Sequence, residues 1–262
     1  MLTFIKLGGS LLTDKRVENS FRADVAARLA AEIQAALSAR PDLRLLIGHG
    51  SGSFGHFVAE RYGTVNGVDS PDEWRGFAHV ATVAAELNQL VAQALLDAGV
   101  PVMRMQPSAS AVSRAGVIVR MATEPLQALL DHGVVPLVYG DVALDEVRGG
   151  TIISTETVFF YLARHIPADE IMLLGEVDGV YDQAGQVIPS ITPQALPQVE
   201  RALGGSAGTD VTGGMATKVR DMVALVQAEP RLTIRICSGL VPGLLQATLL
   251  GSAAPGTRIS AD

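Results

Sequence analysis

The stretch Leu43–Thr64, LRLLIGHGSGSFGHFVAERYGT, decides what fold we expect. It begins with an apolar run, Leu43–Ile47, of the kind that a buried parallel strand presents. Four glycines follow within eight residues, and a segment suited to a helix comes after them. A strand, a glycine-rich turn and a helix start form an anion site, because glycine lets the backbone approach a ligand and the free amides of the first helical turn point at it.

The segment Gly50–Gly55 also matches the G-x-G-x-x-G pattern of dinucleotide sites. That signature needs a second strand that ends in an acidic residue about twenty residues later. Asp69 and Asp72 lie in this interval, but the segment before them reads as loop. The chain contains no Walker pattern G-x-x-x-x-G-K-[ST] either. The sequence therefore disfavours a dinucleotide site and a Walker loop, and favours another kind of phosphate site.

Composition narrows the functional classes. The chain has 262 residues, of which 48% are hydrophobic, and a formal net charge of −7, which argues against binding to nucleic acid or to a membrane surface. A single cysteine, Cys237, rules out an internal disulfide and is typical of a reducing cytoplasm. No apolar run approaches the length that spans a bilayer, and residues 1–12 do not read as a signal sequence. We therefore expect a cytoplasmic protein with neither nucleic-acid nor membrane partners.

Strands and helices alternate along the chain. Predicted strands cover 2–7, 43–47, 100–106, 134–139, 170–174, 231–237 and 257–260, with a hairpin at 142–153. Predicted helices cover 22–39, 75–98, a short segment after Thr123, 154–165, a segment opened by Thr192-Pro193, a segment from Lys218 to about Ala228, and 244–250. This alternation predicts an α/β fold with an open, mainly parallel sheet covered by helices on both faces. Ligands bind such sheets at the carboxyl ends of the strands.

Glycines and charged residues cluster just where the predicted strands end. Lys6 precedes a Gly-Gly turn, Lys15 follows it, Gly140-Asp141 ends another strand, and Lys218 follows the glycine-rich stretch 203–217. Two glycine-rich turns, three lysines and two histidines indicate that more than one phosphate group is bound. Phosphoryl transfer requires this arrangement, because both phosphates must be held in line while cations and amides neutralise the transition state.

Five motifs, KLGGSLLTDK, HGSGSFGH, YGDV, VDGVYD and DVTGGMATK, together resemble the amino-acid kinase superfamily. GGSLLTDK and the ending GSFGH closely resemble the isopentenyl phosphate kinase family within it. The resemblance extends from Lys6 to Lys218. It implies a single domain, 1–262, that forms an αβα sandwich with an acceptor-binding lobe over about 1–166, a nucleotide-binding lobe over about 167–262, and a homodimer. It also implies transfer of the γ-phosphate of ATP, with Mg²⁺ bound through ATP, to isopentenyl monophosphate, giving the diphosphate used in isoprenoid synthesis.

The resemblance carries roles to the matching positions. Predicted ATP contacts are Lys6, Gly8, Gly9, Ser10, Gly52, Asp178, Tyr181, Gly213, Gly214 and Lys218. Predicted contacts of the acceptor phosphate are Ser51, Gly55, His56 and Gly140, and the predicted catalytic groups are Lys6, Lys15, His56 and Lys218. Two positions depart from the family pattern. Ser51 stands where a third glycine is common, and Ser154-Thr-Glu156 replaces an Asp pair, so Glu156 is either a helix-capping acid or an acid linked to Mg²⁺.

Two assignments compete with structural alternatives. His56 taken alone is as often structural as functional, but the resemblance makes it a donor to the acceptor phosphate, whose dianion favours the protonated ring. His49 reads as structural or as a support for the site. On the helix from Arg75, we expect Phe77, Val80 and Ala84 to line an apolar pocket for the substrate tail. The alternative is that all of them face the core.

Two other functional classes stay open. A kinase of the same fold for another small phosphate or phosphonate, of the fosfomycin-kinase type, shares the histidine and requires a polar acceptor cavity. A nucleotide-binding regulator without catalysis is the other. The three lysines argue against it, because a sensor need not stabilise a transition state.

Overall fold

The structure is a computed structural model that describes residues 1–203 and 214–262. Its strands are β1 (Leu2–Leu7), β2 (Arg44–His49), β3 (Val102–Arg104), β4 (Val112–Arg114), β5 (Val117–Arg120), β6 (Val135–Tyr139), β7 (Asp141–Asp145), β8 (Gly149–Ile153), β9 (Glu170–Gly175), β10 (Ser190–Ile191), β11 (Thr233–Ser238) and β12 (Thr257–Ile259). Its α-helices are α1 (Gly9–Leu12), α2 (Ala23–Ala39), α3 (Gly52–Tyr62), α4 (Pro71–Asp97), α5 (Glu124–Asp131), α6 (Thr155–Ala163), α7 (Leu196–Leu203), α8 (Gly214–Ala228) and α9 (Leu244–Leu249). Short 3-10 turns occur at Thr64–Asn66 and Pro107–Ala109.

The larger sheet confirms the predicted open, mainly parallel α/β architecture. Its strand order is β10-β12-β11-β9-β1-β2-β6-β3, and its neighbouring strands are parallel except for the pair β11 and β12. The strands from the first part of the chain lie together on one side of the sheet, and β9–β12 lie on the other. The strand that carries Lys6 therefore lies at the seam, where β1 pairs with both β2 and β9.

Successive residues of the strands face opposite layers, which produces the αβα sandwich. Ile5 and Ile47 pack in a core with α2, α3, α4 and α9. Phe4 and Leu46 pack in a second core with α5, α6, α7 and α8. This arrangement follows from the continuous apolar runs of the central strands, because a strand covered on both faces needs apolar residues at every position.

A second sheet of order β5-β4-β7-β8 packs against the second core. The sequence predicted only the β7–β8 hairpin, because β4 and β5 span only three and four residues, too few to show a periodic pattern. The long helix α4 begins at Pro71 rather than Arg75, since Ser70 and Glu73 form a capping box. Conversely, α7 begins at Leu196, and Thr192-Pro193 forms part of the turn before it.

Within residues 1–203 and 214–262, no helix combines the length and the apolar character that a membrane crossing requires.

Candidate active site

Two glycine turns, one after β1 and one after β2, are pressed against each other at the carboxyl end of the sheet. A Cβ placed on Gly9 would lie 2.7 Å from the backbone nitrogen of Gly52, and a Cβ on Gly50 would lie 2.9 Å from the nitrogen of Gly9. Gly52 also has φ +51°, a conformation that favours glycine. Side chains at these positions would separate the two turns, so the glycines allow both helix starts to share one site.

Each turn presents backbone amides to this site. The amides of Gly9 and Ser10 at the start of α1, and those of Ser51 and Gly52 at the start of α3, donate no hydrogen bond to any described residue. By contrast, the amide of Gly8 donates to the carbonyl of Leu174 at 2.8 Å, which ties the first turn to β9. Free amides at two adjoining helix starts favour anionic ligands.

The chain contains only three lysines, and all three act on one histidine. Lys6 lies in β1, Lys15 in the loop after α1, and Lys218 in α8. The positive charges of Lys15, Lys218 and Lys6 all contribute to lowering the pKa of His56. The structure therefore brings together the four residues that the sequence proposed as catalytic, although they come from four separate segments.

His56 faces this positive region from the second turn of α3. Its Nδ1 lies 3.5 Å from Oγ of Ser51, the first residue before the helix. Burial of the ring is the main cause of its lowered pKa, and the three lysines act in the same direction. In the free protein the neutral ring is therefore favoured, and a bound phosphate dianion would act in the opposite direction.

Glu156 is the acid of this site. Its Oε1 accepts a hydrogen bond from Nζ of Lys6, and both side chains are partly buried. Burial by itself would raise the pKa of Glu156. The charge and hydrogen bond of Lys6, together with the residue's own backbone amide and the charge of Lys218, outweigh burial and hold the pKa below its ordinary value. The role of helix cap belongs to Ser154, whose Oγ accepts from the amide of Thr157 at 3.0 Å. The structure thus joins Glu156 to a lysine of the site.

His49 holds the glycine turn after β2 in place. Its Nδ1 lies 3.0 Å from the carbonyl oxygen of Gly50, and its Nε2 lies 3.0 Å from Nδ2 of Asn88 on α4. Because Asn88 Nδ2 can only donate, the ring is neutral and carries its proton on Nδ1. Full burial lowers the pKa of His49 to about 4. The sequence suggested a structural or supporting role, but it gave no sign of Asn88 as the partner.

The backbone of His49 also fixes the end of β6. Its carbonyl oxygen accepts from Oγ1 of Thr155 at 2.6 Å and from the amide of Gly140 at 3.0 Å. The Gly140 amide is therefore engaged within the protein. Asp141, buried beside it, accepts from the amides of Ser108 and Val142, and burial raises its pKa. Gly140 is thus joined through its backbone to His49, the residue directly before the glycine turn that follows β2.

The remaining predicted nucleotide contacts follow β9 in the sequence. Asp178 is exposed, and the hydroxyl of Tyr181 lies 3.3 Å from the Asp178 amide and 3.5 Å from its Oδ2. Gly214 is the first residue of α8, the helix that carries Lys218. Gly213 lies outside the described residues.

The three residues proposed for the substrate tail lie on α4, near the second sheet. Val80 and Ala84 are buried, at 3% and 0% exposure. Phe77 is half-buried, and its ring packs against the backbone of Gly150 and, at 5.3 Å between centroids, against Trp74. Phe77 is thus the most accessible member of the set.

An α/β sheet with two adjoining glycine turns and a cluster of three lysines is typical of proteins that transfer phosphoryl groups, because amides and cations stabilise the transferred phosphate. The model of the amino acid kinase family matches residues 1–238. The isopentenyl phosphate kinase of Methanothermobacter thermautotrophicus is 35% identical over 270 aligned residues, covering 99% of both chains. That of Haloferax volcanii is 38% identical over 224 residues, covering 86% of this chain and 88% of the other. A solved isopentenyl phosphate kinase structure superposes with a TM-score of 0.83 at 31% identity, covering 99% of this chain and all of the other.

The chain belongs to the amino acid kinase family, and within it to the isopentenyl phosphate kinases.

Proposed function

We propose that this protein transfers the γ-phosphate of ATP to isopentenyl monophosphate, giving isopentenyl diphosphate and ADP. The observation that carries the proposal is the convergence of all three lysines on His56, beside two adjoining turns with free amides. The protein as a whole is acidic, with a formal charge of −7, so it repels polyanions except where positive charge is concentrated. This site is such a concentration.

The reaction needs little proton chemistry. An oxygen of the acceptor phosphate attacks the γ-phosphorus, a new P–O bond forms, and the bond from the γ-phosphorus to the β–γ bridging oxygen breaks. The acceptor oxygen is already anionic, so a general base is not required. What the site must supply is alignment of the two phosphates and positive charge around the transferring group. Lysines and fixed amides supply both.

The protein's own groups divide between the two phosphates. Ser51, Gly55 and His56 lie on or just before α3 and would hold the acceptor phosphate, with Gly140 at its border. The turn Gly8-Gly9-Ser10, Gly52, and the residues Asp178, Tyr181, Gly213, Gly214 and Lys218 would serve ATP. Lys15 would stabilise the transferring group. Lys6, held by Glu156, would contact the phosphates of ATP.

The described residues contain no group of three or more His, Cys, Asp or Glu side chains able to hold a metal ion. Glu156, the acid of the site, is engaged by Lys6. We propose that Mg²⁺ is bound through the phosphates of ATP, as this ion commonly is. When bound, the ion would neutralise part of the charge on the β- and γ-phosphates.

The proposal also covers the two lobes, the oligomeric state and the cellular location of the protein. We assign the acceptor to a lobe of about residues 1–166 and the nucleotide to a lobe of about residues 167–262, a division supported by the seam between β1 and β9. The first lobe also supplies Lys6, Gly8-Gly9-Ser10 and Gly52 to the phosphates of ATP. We propose a homodimer, which light scattering on the purified protein tests directly. We also propose a cytoplasmic location, which the single buried cysteine supports.

A coupled assay of ADP release tests the function. We expect turnover with isopentenyl phosphate, and much lower turnover with fosfomycin or uridine monophosphate in parallel reactions. Faster turnover of fosfomycin would replace the proposal with the phosphonate kinase. ATP binding without turnover of any acceptor would favour the regulator.

A further inference from the structure

The side chain of Ser20 joins the two ends of the loop that carries Lys15. Ser20 Oγ accepts from the amide of Asp14 at 2.8 Å and lies 3.0 Å from the Asp14 carbonyl oxygen, to which it donates. One step further along, the amide of Arg22 donates to the carbonyl of Leu12 at 2.8 Å. Between these closures Lys15 is exposed. The hydrogen-bonded ends of the loop, Leu12–Asp14 and Ser20–Arg22, form a base from which the exposed Lys15 projects.

That base is attached to the helix that carries His56. Ser53, at 1% exposure, is the second residue of α3. Its amide donates to Oγ1 of Thr13 at 2.9 Å, and its Oγ accepts from the amide of Ser20 at 3.2 Å. Both ends of the Lys15 loop are thus bonded to one buried serine, three residues before His56 on the same helix.

The acid next to Lys15 in the sequence, Asp14, is paired with Arg16. The carboxylate of Asp14 accepts two hydrogen bonds from the guanidinium of Arg16, at 2.9 and 2.7 Å, and one from its amide at 3.0 Å. These contacts hold the pKa of Asp14 well below its ordinary value. Among the described residues, no carboxylate lies within ion-pair distance of Lys15. The charge of Lys15 is left available for a ligand.

We propose that Ser53 and Ser20 are positioning residues that set the place of Lys15 relative to His56. They act by fixing the base of the loop on α3, the helix that carries His56. This inference rests on the proposed function in one respect, because it takes Lys15 to act on the transferring phosphate. Placement of such a group matters, since a displacement of about 1 Å can cost about a hundredfold in rate.

A double-mutant cycle tests the inference. Ser53→Ala and Ser20→Ala are each combined with Lys15→Met, and kcat and KM are measured for ATP and isopentenyl phosphate. We expect each serine variant to lower kcat by about five- to fiftyfold with little change in either KM, because loosening the base misplaces Lys15. In the Lys15→Met background, the same serine changes should cause no further loss. Ser20→Thr keeps the hydroxyl and should recover most of the rate, and Ser38→Ala, on an exposed part of α2, is the control.

Hydrogen exchange separates this inference from the proposed function. The amides of Asp14 and Ser20 should exchange faster in Ser53→Ala than in the unmodified protein, whatever the substrate. Unchanged exchange, or an equal loss of kcat from Ser53→Ala in the Lys15→Met background, overturns the positioning role. An unmodified protein that lacks kinase activity overturns the proposed function instead, and the exchange measurement then decides alone whether Ser53 holds the loop.

Discussion

Lys6 of the first strand and Glu156 at the start of α6 form an ion pair across 150 residues of sequence. Lys6 lies at the seam of the large sheet, and Glu156 begins a helix that packs on the second core. The pair therefore joins the strand that leads into the first anion turn to the helix that follows the β7–β8 hairpin. Because both side chains are partly buried, the carboxylate holds the ammonium in one place instead of leaving it to solvent.

Replacing Glu156 with Gln should lower kcat by about ten- to a hundredfold, equal to about 1.4–2.8 kcal/mol, because the amide cannot hold Lys6 by charge. Glu156→Asp, which keeps the charge on a shorter side chain, should lie between Gln and the unmodified protein. Steady-state kinetics at saturating ATP measures this effect, and Glu86→Gln on the exposed side of α4 is the control. Equal kcat in Glu156→Gln and the control would remove Glu156 from the mechanism.

His56→Ala should lower kcat/KM for the acceptor by about ten- to a thousandfold, or about 1.4–4 kcal/mol, because a donor to the acceptor phosphate is lost. His56→Gln should recover part of this loss, since a neutral donor remains. Partial recovery is expected because burial and the lysines already favour the neutral ring in the free protein. Steady-state kinetics at varied isopentenyl phosphate concentration measures kcat/KM for both variants. Near-normal kcat/KM in His56→Ala would contradict the assignment.

Lys15→Met and Lys218→Met should each lower kcat/KM by about a hundredfold or more while changing the melting temperature little, since neither lysine has an ion-pair partner among the described residues. Lys6→Met should lower both activity and stability, because it leaves the partly buried Glu156 without its partner. Arg75→Met, an exposed arginine on α4, is the control. Full activity in Lys218→Met would remove the nucleotide side of the proposal.

Phe77→Ala should extend the acceptor range toward longer prenyl phosphates at some cost in stability. A five-carbon tail buried beside Phe77, Val80 and Ala84 would contribute about 3–4 kcal/mol, at about 0.8 kcal/mol per CH₂. The measurement is kcat/KM for dimethylallyl, isopentenyl, geranyl and farnesyl monophosphates with both proteins. The same tail preference before and after the change would show that Phe77 does not border the tail.

His49 should make the protein less stable in acid. Its pKa is about 4 in the folded protein and 6.5 when unfolded, so the unfolded chain binds more protons between these values. The stability it contributes is present above pH 6.5 and falls as the pH drops toward 4, by a total of about 3 kcal/mol. Urea unfolding at several pH values measures this loss. His49→Gln should flatten the dependence, whereas His132→Gln, an exposed histidine after α5, should leave it unchanged.

Much of the architecture could be predicted because its signals are local. Continuous apolar runs predicted the central strands, and glycines directly after β1 and β2 predicted two anion turns at their ends. The same rules failed for β4 and β5, where three or four residues cannot show a period. They also placed the start of α4 four residues late, although the capping box from Ser70 to Glu73 was a usable signal.

The residue types of the site were also visible in the sequence. Lysines next to glycine turns, together with a histidine at a helix start, are enough to suggest phosphate chemistry. Their partners were not visible: Glu156 for Lys6, Asn88 for His49, and Ser53 for the loop of Lys15. Each of these contacts joins segments that are 33 to 150 residues apart.

The sequence by itself determined the alternation of strands and helices, the parallel sheet and the glycine turns, since periodicity and backbone freedom act over a few residues. The tertiary structure alone decided which charges and hydroxyls meet at the carboxyl end of that sheet. Those contacts depend on strand order and register, which place Lys6 beside Gly48 on one side and Leu173 on the other. Strand order and register come from the packing of whole layers, and a one-residue shift in register would turn Lys6 to the opposite face and separate it from Glu156.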